Sequence, residues 1–260
     1  MIKKRILFVL ALTLLLTLCA CDNNDEPSGS GSETTDAQQV SSDESGNEAS
    51  SDPASDEATS YEITDCRAKT WTSSTGSFWV QTIVEITNTG TTNLYLSSGA
   101  YDLEDASGNL VASQTMVSAY PDVLAPGEKG YMYEETILDA AVDGDLTVLP
   151  REEVEEATID LVRFPVTDVS ISTDNYGDLK MIGRVENDSG EAEDSMVYIV
   201  AFLYDTDGTC IGQMFTILTE DLASGDKIGF ELSSISLPDD VTADAVADYV
   251  VYAYPLQYQF

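Results

Sequence analysis

From residue 61 onward, apolar side chains fall mostly at every second position, in runs rich in Val, Ile, Thr, Tyr and Phe. Asp, Asn, Gly, Pro and Ser interrupt these runs every 8–14 residues, and a 3.6-residue period is almost absent. Period-two runs bounded by turn residues read as half-buried β-strands. The pattern predicts strands over 62–71, 77–88, 93–104, 109–116, 129–138 and 157–164, then over 166–173, 178–187, 195–205, 209–218, 227–235 and 248–258. Short helical turns are expected only near 151–156 and 240–245. The strongest stretch is 201–212, where Ala201-Phe202-Leu203-Tyr204 stops at Asp205-Thr206-Asp207-Gly208 and restarts at Thr209-Cys210-Ile211-Gly212. That is a hairpin with its turn chemistry at the tip.

The chain is self-similar at a spacing near one hundred residues. Val84-Glu85-Ile86-Thr87-Asn88-Thr89-Gly90 matches Arg184-Val185-Glu186-Asn187-Asp188-Ser189-Gly190, and Asp105-Ala106-Ser107-Gly108-Asn109-Leu110-Val111 matches Asp205-Thr206-Asp207-Gly208-Thr209-Cys210-Ile211. Leu124-Ala125-Pro126-Gly127-Glu128-Lys129 matches Leu222-Ala223-Ser224-Gly225-Asp226-Lys227 in the same order. The register then drifts, so 139–151 reads as an insertion in the first copy, which is expected to close on 157–164. Two copies of six or seven short strands predict an all-β fold: two tandem immunoglobulin-like antiparallel β-sandwiches, over 61–165 and 166–260, joined without a linker at Phe164-Pro165-Val166.

The second copy resembles the FxLYD domains of bacterial surface lipoproteins, through Phe202-Leu203-Tyr204-Asp205, Asp207-Gly208, Val185-Glu186-Asn187 and Leu222-Ala223-Ser224-Gly225. The resemblance implies a β-sandwich and an extracytoplasmic location, and it brings no catalytic residue with it. The first copy departs from the motif, with Tyr101-Asp102-Leu103-Glu104-Asp105 in its place, and reads as a divergent relative.

Ahead of the repeats, Lys3, Lys4 and Arg5 precede an apolar run from Ile6 to Leu18. A basic start followed by a short apolar stretch is a secretory signal, too short to span a bilayer comfortably. Leu18-Cys19-Ala20-Cys21 then resembles the lipobox of bacterial lipoproteins. Carried onto this sequence, residues 1–20 are the signal peptide and Cys21 is the first mature residue, bearing a covalent diacylglycerol. Acyl chains anchor through roughly 0.8 kcal/mol per buried CH₂. Residues 21–60 are expected to be a disordered acidic linker: 22–60 holds eleven acids, no Lys or Arg and one large aliphatic residue, Val40. Such a stretch cannot offset the entropy of ordering.

Charge and composition narrow the chemistry. Net charge is −36, and the first five residues hold three of the eleven cations. A surface this acidic repels phosphate backbones, so nucleic acid is not an expected partner. There is no histidine, which removes Ser-His-Asp and Cys-His catalysis and most zinc sites. Cys66 and Cys210 remain in the mature chain, either as an exported disulfide or as two buried small apolar residues, the blander reading.

Candidate site residues are few. Asp205 and Asp207 begin like a calcium loop, but Thr216 stands where the twelfth-position acid belongs, so a capped hairpin turn is the favoured reading. Asp239 and Asp240, with Asp244 and Asp248, form an acidic cluster that could hold a cation weakly, as do Asp139, Asp143 and Asp145; solvated faces are the commoner meaning. Trp71 and Trp79, and Tyr258 and Phe260 at the C-terminus, are candidate contact residues for a sugar or protein, against the plainer reading that aromatics fill the sandwich cores. The sequence therefore points to a lipid-anchored protein on the extracytoplasmic face of the bacterial membrane. It would work without catalysis or cofactor, through contact with a protein, glycan or envelope polymer. The alternative is a carboxylate-dependent hydrolase of an envelope polysaccharide.

Overall fold

In the computed structural model, residues 58–175, 177–234 and 237–259 are described. The expected signal peptide over 1–20, Cys21, the expected linker up to residue 57 and Phe260 lie outside them. Residues 58–60, placed in the linker from the sequence, are tied to the first sandwich by Thr89 and Gly90 N–H to Ser60 O and Thr91 N–H to Ala58 O. The first half runs Tyr61–Thr72 (β1), Phe78–Asn88 (β2), Leu94–Leu96 (β3), Gly99–Glu104 (β4), Leu110–Val117 (β5), Ala119–Tyr120 (β6), Val123–Leu124 (β7), Lys129–Leu138 (β8), Thr147–Arg151 (β9) and Val154–Glu156 (β10). The second runs Val166–Thr173 (β11), Leu179–Glu186 (β12), Val197–Tyr204 (β13), Cys210–Leu218 (β14), Lys227–Leu232 (β15) and Asp248–Pro255 (β16). No helix occurs among the described residues. The protein is all-β, and its two halves are antiparallel sandwiches of the same topology.

In the first half, the sheet β1-β2-β8-β6 faces the sheet β5-β4-β9, with a small sheet β10-β3-β7 beside them. In the second, β11-β12-β15 faces β14-β13-β16. Each pair of sheets closes on its own core. One is built around Val84, Leu103 and Leu124, the other around Val185, Leu203 and Leu222. The repeat extends to single hydrogen bonds. Asp105 N–H donates to Asn109 O and Gly108 N–H to Asp105 O, as Asp205 does to Thr209 and Gly208 to Asp205. Gly108 and Gly208 both sit at positive φ, 78° and 77°, where a side chain would be strained. The β4–β5 and β13–β14 hairpins even slip register at matching places, Leu103/Glu104 and Leu203/Tyr204.

Two expectations are corrected. The first copy does not close on 157–164: that stretch has no strand, and Phe164 is buried in the second core. The closing strand is β9, inside the supposed insertion, paired to β4 as β16 is paired to β13. Pro150 is tolerated because β9 is an edge strand whose outward N–H needs no ladder partner. The helical turns are absent as well. Residues 154–156 belong to β10, and Thr242 O accepts from Ala245 N–H in an irregular loop.

The described residues form one compact unit, and the reason lies in β13. Val197, Ile199, Ala201 and Leu203 enter the second core, while Val200 and Phe202 enter a third apolar cluster with Ile83, Tyr131 and Tyr133 of the first half. A strand alternates its side chains between two faces, so β13 is continuously apolar because both faces are covered. The outer face of β2 and β8 meets the outer face of β13 and β16, and this seam joins the two sandwiches.

Polar bonds fix the seam's register. Tyr131 and Phe202 ring centroids lie 4.3 Å apart. The Tyr131 hydroxyl donates to Glu85 Oε2 at 2.9 Å and lies 3.0 Å from the Tyr204 hydroxyl. Arg67 Nη2 donates to Cys210 O, Gln81 Nε2 to Ile211 O at 3.2 Å, and Lys69 pairs with Asp240 at 2.5 Å. Burial raises the carboxyl pKa of Glu85, but hydrogen bonds from Lys129, Thr64 and Tyr131 outweigh it and hold the group below its usual value. Tyr204 is pushed up to about 12 by burial, so its hydroxyl stays protonated.

The seam also explains why only one copy carries the full motif. Phe202 and Tyr204 face the first sandwich, and at the matching positions Asp102 and Glu104 face outward from β4. Asp102 accepts from Ser113 Oγ at 2.6 Å and pairs with Arg151. The two copies differ where one is covered and the other is open.

Candidate ligand cleft

At one end of the seam, where the β1–β2 hairpin projects past β12 and β15, the sandwiches leave a cleft of about 630 Å³. The first sandwich contributes Trp71, Ser73 and Ser74, and the second contributes the β11–β12 turn, the end of β15 and the loop 237–242. The volume falls in the range of roughly 300–1,000 Å³ typical of small-molecule sites. Trp71 and Trp79 are directly paired across β1 and β2, with ring centroids 6.0 Å apart and planes 16° from parallel. Neither belongs to the clusters of the interior. They are half-buried at the hairpin end, and Trp71 forms part of the cleft wall.

The opposite wall is polar for the most part, its charged and hydroxyl residues set among Leu179, Leu232, Leu237, Pro238 and Val241. Lys180 on β12 and Glu231 on β15, diagonal to each other across the two strands, form an ion pair at 2.5 Å. Asp174 Oδ1 accepts the Asp178 N–H at 3.0 Å and shapes the β11–β12 turn. The Asp178 and Asp239 carboxylates, and the hydroxyls of Ser74, Ser233, Ser234 and Thr242, are unengaged among the described residues. A wall of unengaged donors and acceptors facing an aromatic surface can orient a ligand by hydrogen bonds while the indole covers an apolar face.

The structure thus brings Trp71 and Asp239, far apart in sequence, to one cleft, with Trp79 stacked on Trp71 and Asp240 tied to Lys69 at the seam. Asp205 and Asp207 are elsewhere, at the β13–β14 tip. Asp205 Oδ1 accepts the N–H groups of Asp207 and Thr209, both at 2.9 Å, so that carboxylate caps its own turn. Among the described residues no group of three or more acids or cysteines is placed to hold a metal ion. Asp239 and Asp240 enter the site as cleft and seam residues.

Tyr258 is 61% exposed and lines a smaller groove of about 140 Å³ with Tyr95, Tyr120, Tyr198 and Asp122. β16 ends at Pro255, short of the expected 258, and the following segment is held by Leu256 N–H to Met196 O at 2.7 Å and by Gln259 against Thr158 and Glu156. Burial pushes the Asp122 carboxyl to about 6, against the opposing pull of Arg163. Arg163 already lies over the rings of Tyr252 and Tyr254, at 5.4 and 5.1 Å.

Cys66 and Cys210 are free thiols. Cys66 packs against the first core, whereas Cys210 faces the seam beside Arg67, the next residue along β1. Strand alternation sends them to opposite faces. Burial raises their pKa values to about 11 and about 12, so both stay protonated.

Sequence reasoning had no access to the cleft as a whole. Lys180, Glu231, Ser233 and Thr242 are ordinary surface residues until the fold sets them opposite Trp71. No protein-family model matches the chain, and no curated protein matches it.

Proposed function

We propose that this protein is a lipid-anchored binding module of the bacterial cell surface. Its two fused sandwiches, the second of the FxLYD kind, hold a non-catalytic contact site away from the membrane on the acidic stalk of 22–57. The observation that carries this reading is the cleft of about 630 Å³, whose walls come from both sandwiches and whose width is set by the buried seam. Binding at a preformed site loses less to ordering than binding at a flexible one. Cys21, carrying diacylglycerol, is the membrane attachment, on the extracytoplasmic face.

Two linked measurements test it. In cells, Cys21→Ser is expected to move the protein from the membrane to the soluble extracytoplasmic fraction and to abolish incorporation of labelled palmitate. Retention in the membrane with label elsewhere would contradict the anchor. The released protein is then mixed with purified, protein-free envelope polymer and sedimented. It is expected to co-sediment, and Thr242→Tyr, which fills the cleft from an exposed position, is expected to reduce the bound fraction at least about tenfold, a change of about 1.4 kcal/mol. Undiminished binding by that variant would place the contact surface elsewhere.

A further inference from the structure

We infer that the cleft takes a neutral, hydroxyl-rich ligand: an uncharged oligosaccharide whose one face lies on Trp71 while its hydroxyls meet the acidic and serine-lined wall. This rests on the reading of the cleft as the contact site and names the ligand class that its lining selects.

Three observations converge on that chemistry. The first is the tryptophan pair. Trp71 and Trp79 stack nearly in parallel across adjacent strands, and this mutual packing holds the Trp71 ring in one orientation at the cleft wall. A fixed flat ring covers the apolar C–H face of a pyranose at little entropic cost.

The second is the inventory of opposing polar atoms. Asp178 and Asp239 offer carboxylate oxygens, which only accept hydrogen bonds, whereas Ser74, Ser233, Ser234 and Thr242 offer hydroxyls, which donate and accept. A sugar hydroxyl donates and accepts as well, so one ligand class satisfies both kinds of group. An apolar ligand would strip water from these atoms and return no hydrogen bond, which is costly. A basic peptide would pair with the carboxylates and leave the hydroxyls without a matching pattern.

The third is charge. Asp174, Asp178, Glu231 and Asp239 line the cleft with one cation, Lys180, which Glu231 already engages. A sugar acid or phosphorylated polymer would bring negative charge into a negative cleft on a chain of net charge −36. Anionic polysaccharides are excluded for the same reason that nucleic acids are.

The chain's two tryptophans are Trp71 and Trp79, so its tryptophan emission reports directly on this end of the seam. The full chain is titrated with N-acetylchitohexaose, cellohexaose, hexagalacturonate and hexalysine. Tryptophan emission is followed, and binding is measured in parallel by calorimetric titration. The inference expects saturable binding of at least one neutral hexasaccharide and binding of hexagalacturonate at least about tenfold weaker. It also expects about tenfold loss of saccharide affinity in Trp71→Ala and in Thr242→Tyr. Thr242→Tyr keeps both tryptophans, so a folding defect in Trp71→Ala leaves the test intact. Saccharide binding that both variants retain in full would overturn the site. Binding of hexalysine alone, lost in the variants, would overturn the ligand class and leave the cleft as the contact surface. Silence from all four probes would overturn the ligand class, and the envelope sedimentation assay would still decide separately whether the cleft makes contact.

Discussion

Phe202→Asp is expected to cost at least about 4 kcal/mol of the stability that couples the two halves, and to do so without dismantling the second core. Truncating a buried phenylalanine costs roughly 3–5 kcal/mol, and a carboxylate left in the space adds a desolvation penalty. Phe202 is fully buried, but its burial comes from Tyr131, Ile83 and Tyr252 in the seam, and its neighbours Ala201 and Leu203 are the ones that enter the sandwich core. The substitution also installs the residue found at the matching position of the first copy, where Asp102 sits comfortably on an open face. Each sandwich keeps its own core in the variant. The expected result is therefore two separate unfolding transitions and a Tyr131 exposed to solvent. A single transition, shifted by less than about 1 kcal/mol, would mean that the seam contributes little.

Asn187→Ala is the second large effect, expected at about 2–4 kcal/mol. Asn187 is fully buried and uses its whole amide. Its Nδ2 donates to Glu191 O at 2.7 Å and Leu222 O at 2.8 Å, and its Oδ1 accepts from Ser189 N at 3.0 Å and Ser189 Oγ at 2.7 Å. Alanine would remove all four of these bonds, leave the Leu222 carbonyl with the Glu193 N–H alone and release the turn 188–191, and each such bond contributes roughly 0.5–1.5 kcal/mol net. Asn88 repeats the arrangement in the first copy, donating to Thr92 O at 2.9 Å and Leu124 O at 3.0 Å. The paired variant Asn88→Ala is expected to lose a similar amount, measured by urea unfolding with unchanged slope. A loss below about 1 kcal/mol in both would show that water replaces the amide, and that the repeated asparagine is not a structural staple.

Much of this architecture is legible in the sequence because its signals are local. Asn88 and Asn187, the turns at Gly108 and Gly208, and the alternation along β4 and β12 are visible in the residues themselves, and the asparagines and turns recur at one spacing. The failures have physical causes too. Residues 147–151 were hidden by Pro150, which argues against a strand unless the strand is at an edge, and edge position is a property of the assembled sheet. Residues 157–164 alternate well enough to suggest a strand, but Val162 and Phe164 are apolar because they lead into the second core. The seam was half-legible. The unbroken run Val197–Tyr204 signals burial on both faces, yet nothing local says that the covering surface is Ile83, Tyr131 and Tyr133.

The cleft was least legible, since its chemistry is assembled from residues up to about 170 positions apart, as the Lys69–Asp240 pair beside it illustrates. Trp71 and Asp239 stood out singly for weak reasons. Their meaning comes from facing the same space, and that space exists because the seam sets one sandwich against the other.

The central claim is that two repeats are fused by the seam into one body whose shared edge forms the site. Scanning calorimetry of the full-length wild-type chain tests it most directly. Fusion predicts one endotherm with calorimetric and van't Hoff enthalpies in agreement. Two resolved endotherms in the wild type, each the size expected for a separate sandwich, would contradict it.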